Sequence, residues 1–87
     1  MDANAAAVYM VEYLEGEEAL YQEMIVYQLI ERFGEAAAYQ NDSGGLSIAR
    51  PILRAFRALT EGQVVWDRTE RCWRKRQPGD LPSRLAG

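Results

Sequence analysis

Between residues 50 and 76 the chain carries seven arginines: Arg50, Arg54, Arg57, Arg68, Arg71, Arg74 and Arg76. A guanidinium stays charged at physiological pH and presents its N–H donors as a planar fork, which suits the paired oxygens of phosphate and carboxylate. At ~100° per residue, Arg50, Arg54 and Arg57 fall within about 60° of one another on a helix. Ile52, Leu53, Phe56 and Leu59 fall on a neighbouring arc about 120° wide. The other four arginines lie in a stretch of strand and turn composition. Polyanion recognition is the chemistry that this pattern supports. A solvated charged face that keeps a small protein dissolved is the plainer use of the same residues.

Other chemistries find no support. The chain has no histidine, the commonest general base and metal ligand. No nucleophile elbow, Cys/His cluster or metal-spaced acid motif is present. Glu15, Glu17 and Glu18 are close together, but nothing nearby implies a cleft that would shift their ionisation. Asp42-Ser43-Gly44-Gly45 is not followed by the GK[ST] of a phosphate-binding loop. The expectation is a protein without catalytic residues, metal, cofactor or small-molecule substrate. Its single cysteine, Cys72, cannot form an internal disulfide. It reads as a small strand residue and fits a reducing cytoplasm.

Eighty-seven residues make one domain with a modest core. At 48% apolar and 26% charged, the composition is that of a globular protein rather than a disordered tail. No apolar run approaches the ~20 residues of a membrane-spanning helix, and no basic segment followed by an apolar one marks a signal peptide. The net charge of −3 hides an asymmetry. Residues 1–48 carry nine acids and one base, net −8, whereas residues 49–87 carry nine bases and four acids, net +5. The basic half can meet nucleic acid. It can also meet an acidic protein surface, including that of a second copy in a homodimer.

The elements that position the arginines follow from periodicity. Asp2 is a candidate N-cap for a helix over Ala3 to Glu15, with Ala7, Val8, Val11 and Leu14 as its apolar stripe. Tyr9 and Tyr13 share a flank and pad the core edge. Ala19 to Tyr21 has the makings of a short strand. A second helix, Glu23 to Phe33, offers Val26, Leu29, Ile30 and Phe33, and Gly34 closes it. Asn41 to Gly45 are strong turn formers, so Tyr39-Gln40 pairs with Leu46 to Ile48 as a hairpin. Pro51 suits the first turn of a third helix, and Gly62 its end. Val64-Val65-Trp66 and Arg71 to Lys75 then form a second hairpin with a loop of about four residues, Trp66 opposite Trp73. Cys72, Arg74 and Arg76 point to the face opposite Trp73. Residues 1–78 form the domain, and 79–87, rich in proline and glycine, form an irregular tail.

This order gives an α+β, winged-helix-like fold: three helices, a small antiparallel sheet and a C-terminal hairpin wing. Leu20-Tyr21-Gln22-Glu23, Arg32-Phe33-Gly34, the run from Leu46 through Trp66 to Trp73-Arg74-Lys75-Arg76, and Pro78-Gly79-Asp80 resemble a small family of uncharacterised bacterial proteins. The resemblance covers roughly Val8 to Asp80. It implies the same fold, a bacterial cytoplasmic setting and no catalytic residues. The chain departs from the family pattern at Ala49, where an acidic N-cap is usual.

Overall fold

In the computed structural model, which describes residues 1–77 and 85–86, the Asp2 carboxylate accepts a hydrogen bond from the Ala5 N–H at 3.0 Å and opens α1, Ala3–Glu15. Strand β1, Ala19–Tyr21, leads into α2, Gln22–Phe33, with Glu23 in its first turn and Arg32 in its last, both favourable to the helix dipole. Gly34 follows at φ +93°, a conformation that suits glycine, and ends the helix. A short 3-10 turn then precedes the hairpin of β2, Ala38–Gln40, and β3, Leu46–Ile48. Asn41 builds its turn: Oδ1 accepts from the Ser43 and Gly45 N–H groups at 2.9 and 3.0 Å, while Nδ2 donates to Ser47 Oγ at 3.1 Å.

Helix α3, Arg50–Leu59, carries Pro51 in its first turn and begins without a side-chain cap from Ala49. It stops before Gly62: Thr60 caps it, and its hydroxyl donates to the Phe56 carbonyl at 2.8 Å. Strands β4, Val64–Asp67, and β5, Cys72–Lys75, form the second hairpin, with Trp66 opposite Trp73 and Asp67 opposite Cys72. The loop is the four residues Arg68 to Arg71. Asp67 Oδ1 accepts from the Thr69 and Glu70 N–H groups at 3.0 and 3.1 Å and fixes its start.

β1 pairs antiparallel with the far side of β5, and β6, Leu85–Ala86, pairs parallel with β4, giving the order β1-β5-β4-β6. The strand at 85–86 falls within the tail expected to be irregular; the rest of that tail lies outside the described residues. The observed architecture is the expected α+β one, with three helices, small antiparallel pairings and a C-terminal hairpin. Among the described residues no helix is long and apolar enough to cross a membrane.

The core joins Ala6, Ala7, Met10 and Leu14 of α1 to Leu20, to Ile25, Val26 and Leu29 of α2, and to Ile48, Ile52, Phe56 and Trp73. α1 lies along α3. The α1 stripe is rotated from the expected one, and the α3 stripe keeps Ile52, Leu53 and Phe56 but loses Leu59. On α1, Ala6 and Met10 are buried while Val8 is 42% exposed. On α3, Ile52 and Phe56 are buried while Leu59 is 51% exposed. Both helices carry apolar residues on more than one side, so spacing alone does not select the side that meets the core. Tyr9 and Tyr13 do sit at the core edge and tie α1 to α2: Tyr9 donates to Gln28 Oε1, its ring lies 4.6 Å beneath the Arg32 guanidinium, and Tyr13 donates to Met24 Sδ at 3.4 Å.

Candidate functional site

Arg50, Arg54 and Arg57 are all exposed on α3. Together with Leu53 and Tyr39 they line one shallow concavity of about 310 Å³. Arg50 and Arg54 take part in no ion pair among the described residues. The helix brings the three guanidiniums together because their spacing spans two turns, while Ile52 and Phe56 anchor the other side in the core.

The concavity does not end at α3. Leu53 and Arg57 also line a cleft of about 450 Å³ between α3 and the inner face of the sheet, walled by Phe56, Trp66 and Trp73 with Gln22 at its side. Gln22 in turn lines a third hollow, of about 370 Å³, with Tyr27, Asn41, Ser43 and Arg71. Shared lining residues thus set the three hollows next to one another, and together they are described as one furrow. Arg50, Arg54 and Arg57 line one hollow, Arg71 another, and the aromatic rings the hollow that shares residues with both. Glu23, in the third hollow, is the one carboxylate lining the furrow among the described residues.

The aromatic rings at the centre pack on one another. Trp73 meets Trp66 at a ring separation of 4.6 Å and Phe56 edge-on at 5.5 Å, and such pairs add roughly 0.5–1.5 kcal/mol beyond the area they bury. The Arg71 carbonyl accepts from the Gln22 N–H at 3.2 Å, which ties the hairpin loop to the start of α2.

The other expected residues are placed differently. Arg68 is exposed on the hairpin loop, in no ion pair among the described residues. Arg74 is half-buried on the outer face of the sheet, with Nε 3.7 Å from Asp67 Oδ2. It lines a hollow there with Glu18, Asp67 and Glu70, so its charge is offset locally. Arg76, also half-buried, lines a separate groove with Val11, Leu59 and Val64. The furrow therefore gathers Arg50, Arg54, Arg57 and Arg71, but not Arg74 or Arg76.

Sequence reasoning missed Gln22, Tyr39 and the accessible part of Trp66. The two tryptophans read as core anchors, and only the meeting of α3, the start of α2 and the hairpin leaves a cleft beside them. The Cys72 thiol is a poor nucleophile here. Burial pushes its pKa up, Asp67 and Glu70 push it further, and Arg74 opposes them. Among the described residues no group of histidine, cysteine, aspartate or glutamate is placed to hold a metal ion.

Fold and furrow define a small α+β domain with a basic groove centred on aromatic rings. The chain belongs to DUF6953, a family of unknown function, whose model matches residues 2–75. That agrees with the resemblance to an uncharacterised family. Comparison with curated proteins and with solved structures finds no significant match.

Proposed function

We propose that the chain is a non-catalytic binding module that engages nucleic acid through α3 and the β4–β5 hairpin. The observation that carries this reading is the shared concavity of Arg50, Arg54 and Arg57, three exposed guanidiniums on one helix face. Arg71 extends the positive surface along the furrow, and Arg68 stands at the hairpin tip. The order α1-β1-α2-β2-β3-α3-β4-β5, with a hairpin between the second and third helices, supports a winged-helix-like mode. In that mode the third helix enters a groove and the hairpin meets phosphates. The acidic half of the chain, net −8, repels a polyanion and so turns the basic side toward it. A bacterial cytoplasm is the setting that this reading assumes.

The test is a mobility shift at low salt, about 50 mM, where phosphate contacts are strongest. The wild-type protein should retard nucleic acid, and the Arg54→Glu, Arg57→Glu double variant should not. Absence of any wild-type shift, or a shift equally strong in the double variant, overturns the proposal.

A protein partner, including a second copy of the chain, is the second reading, and a different surface favours it. Val11, Leu14, Leu59 and Val64 line a groove of about 560 Å³, with Lys75 and Arg76 at its rim. Leu59 leaves half its surface in water there, and exposed apolar patches mark interaction surfaces. A homodimer through this groove predicts a concentration-dependent mass in light scattering. A monomer at high concentration counts against it.

A further inference from the structure

We infer that the furrow selects single-stranded over double-stranded nucleic acid by seating an unpaired base in the aromatic cleft between α3 and the sheet. This deepens the nucleic-acid reading above and rests on it.

The cleft has the attributes of a base seat. Its volume of about 450 Å³ lies within the ~300–1,000 Å³ range of sites that take small molecules. Its walls are Leu53, Phe56, Trp66 and Trp73. Trp73 is only 8% exposed. Neither its indole N–H nor that of Trp66 makes a hydrogen bond among the described residues, and neither is sealed from solvent. The Gln22 side-chain amide, beside them, likewise has no hydrogen-bond partner among the described residues. It offers two donors and an acceptor, which is what the edge of a base requires.

The charges are arranged around this seat in the order that a strand needs. Arg57 stands at the cleft, Arg50 and Arg54 lie beyond it on one side, and Arg71 lies on the other. Single strands are held in this way, by cations that follow the backbone and aromatic faces on which bases stack. A duplex offers the same phosphates but keeps its base faces inside the stack, so the cleft gains nothing from it. Taking a base out of the stack costs a few kcal/mol. The aromatic centre therefore favours the unpaired strand, while the arginines serve either form.

The test measures anisotropy of labelled oligonucleotides of about 15 residues, as single-stranded DNA, single-stranded RNA and duplex DNA of one sequence, at about 50 mM salt. The expected result is single-strand binding at least about tenfold tighter than duplex binding, with quenching of tryptophan emission on saturation. The two single-strand arms show whether the sugar matters as well. Trp66→Leu, which keeps an apolar side chain in the sheet, should weaken single-strand binding roughly 5- to 150-fold, the range for one stacked base. Duplex binding should fall by much less than single-strand binding does. Gln22→Ala, at a half-buried and exchangeable position, should weaken single-strand binding without lowering the melting temperature; this variant serves if Trp66→Leu fails to fold. Duplex binding as tight as single-strand binding, with no quenching, overturns the base seat and leaves the basic-face reading standing. Single-strand binding that is indifferent to both variants overturns it too. No binding to any of the three overturns both readings.

Discussion

Arg71 sits in the left-handed region at φ 55°, the one non-glycine residue with positive φ among the described residues. That conformation costs an L-residue roughly 1–2 kcal/mol, whereas glycine accepts it freely but loses more entropy on folding. Arg71→Gly should therefore leave stability unchanged or raise it by up to about 1 kcal/mol. The same change removes one cation from the furrow, so the salt slope of single-strand binding should become shallower by about 0.7. Chemical denaturation and a salt titration read the two effects separately; a variant that loses stability, or keeps its slope, contradicts this role. Cys72 makes the second prediction at this scale. Burial raises its pKa above the usual thiol range, so the folded state favours the neutral thiol. Its contribution is fully present below the unfolded pKa, about 8.5, and is lost as pH rises through the higher folded value. The denaturation midpoint should fall on going from pH 8 to about 10. Cys72→Val should lessen that fall, and an equal fall in the variant contradicts the assignment. The pairing of Trp66 with Trp73 was legible, because two strand-like runs flank four polar residues and fix the register. The φ of Arg71 was not, because no glycine or asparagine marks the position.

At the scale of elements, α3 carries the site yet begins poorly. Ala49 provides no side-chain acceptor for the first-turn N–H groups, although its φ of −54° and ψ of 137° suit an N-cap. Ala49→Asp should add about 1 kcal/mol, which in a domain of this size raises the melting temperature by roughly 4–8 °C. Thermal melting checks it, and an unchanged or lower midpoint contradicts it. The weak start at Ala49 and the arginine arc were both readable, since each depends on residue type and a single helical period. The buried side of α1 was not. Val8 and Val11 compete with Ala6 and Met10 for the core, and the choice is settled by α3 and α2 packing against that helix. The strand at 85–86 escaped notice for a similar reason: two residues paired with β4 carry no periodicity of their own. The cleft was the least legible feature. Gln22, Phe56, Trp66 and Trp73 are far apart in sequence and meet only through β1–β5 pairing and the packing of α3 on the sheet.

For the whole molecule, charge decides how a partner approaches. Nucleic acid should meet the α3 side, while the acidic half, with Glu12, Glu15, Glu17 and Glu18 exposed, stays in solvent. The salt dependence of binding tests this account most directly. Each phosphate neutralised on a single strand contributes about −0.7 to the slope of log K against log salt. Contacts from Arg50, Arg54, Arg57 and Arg71 therefore predict a slope of roughly −3, reduced to about −1.4 or shallower by Arg54→Glu with Arg57→Glu. A wild-type slope near zero, or an equal slope in the double variant, would contradict the claim that the furrow holds a polyanion.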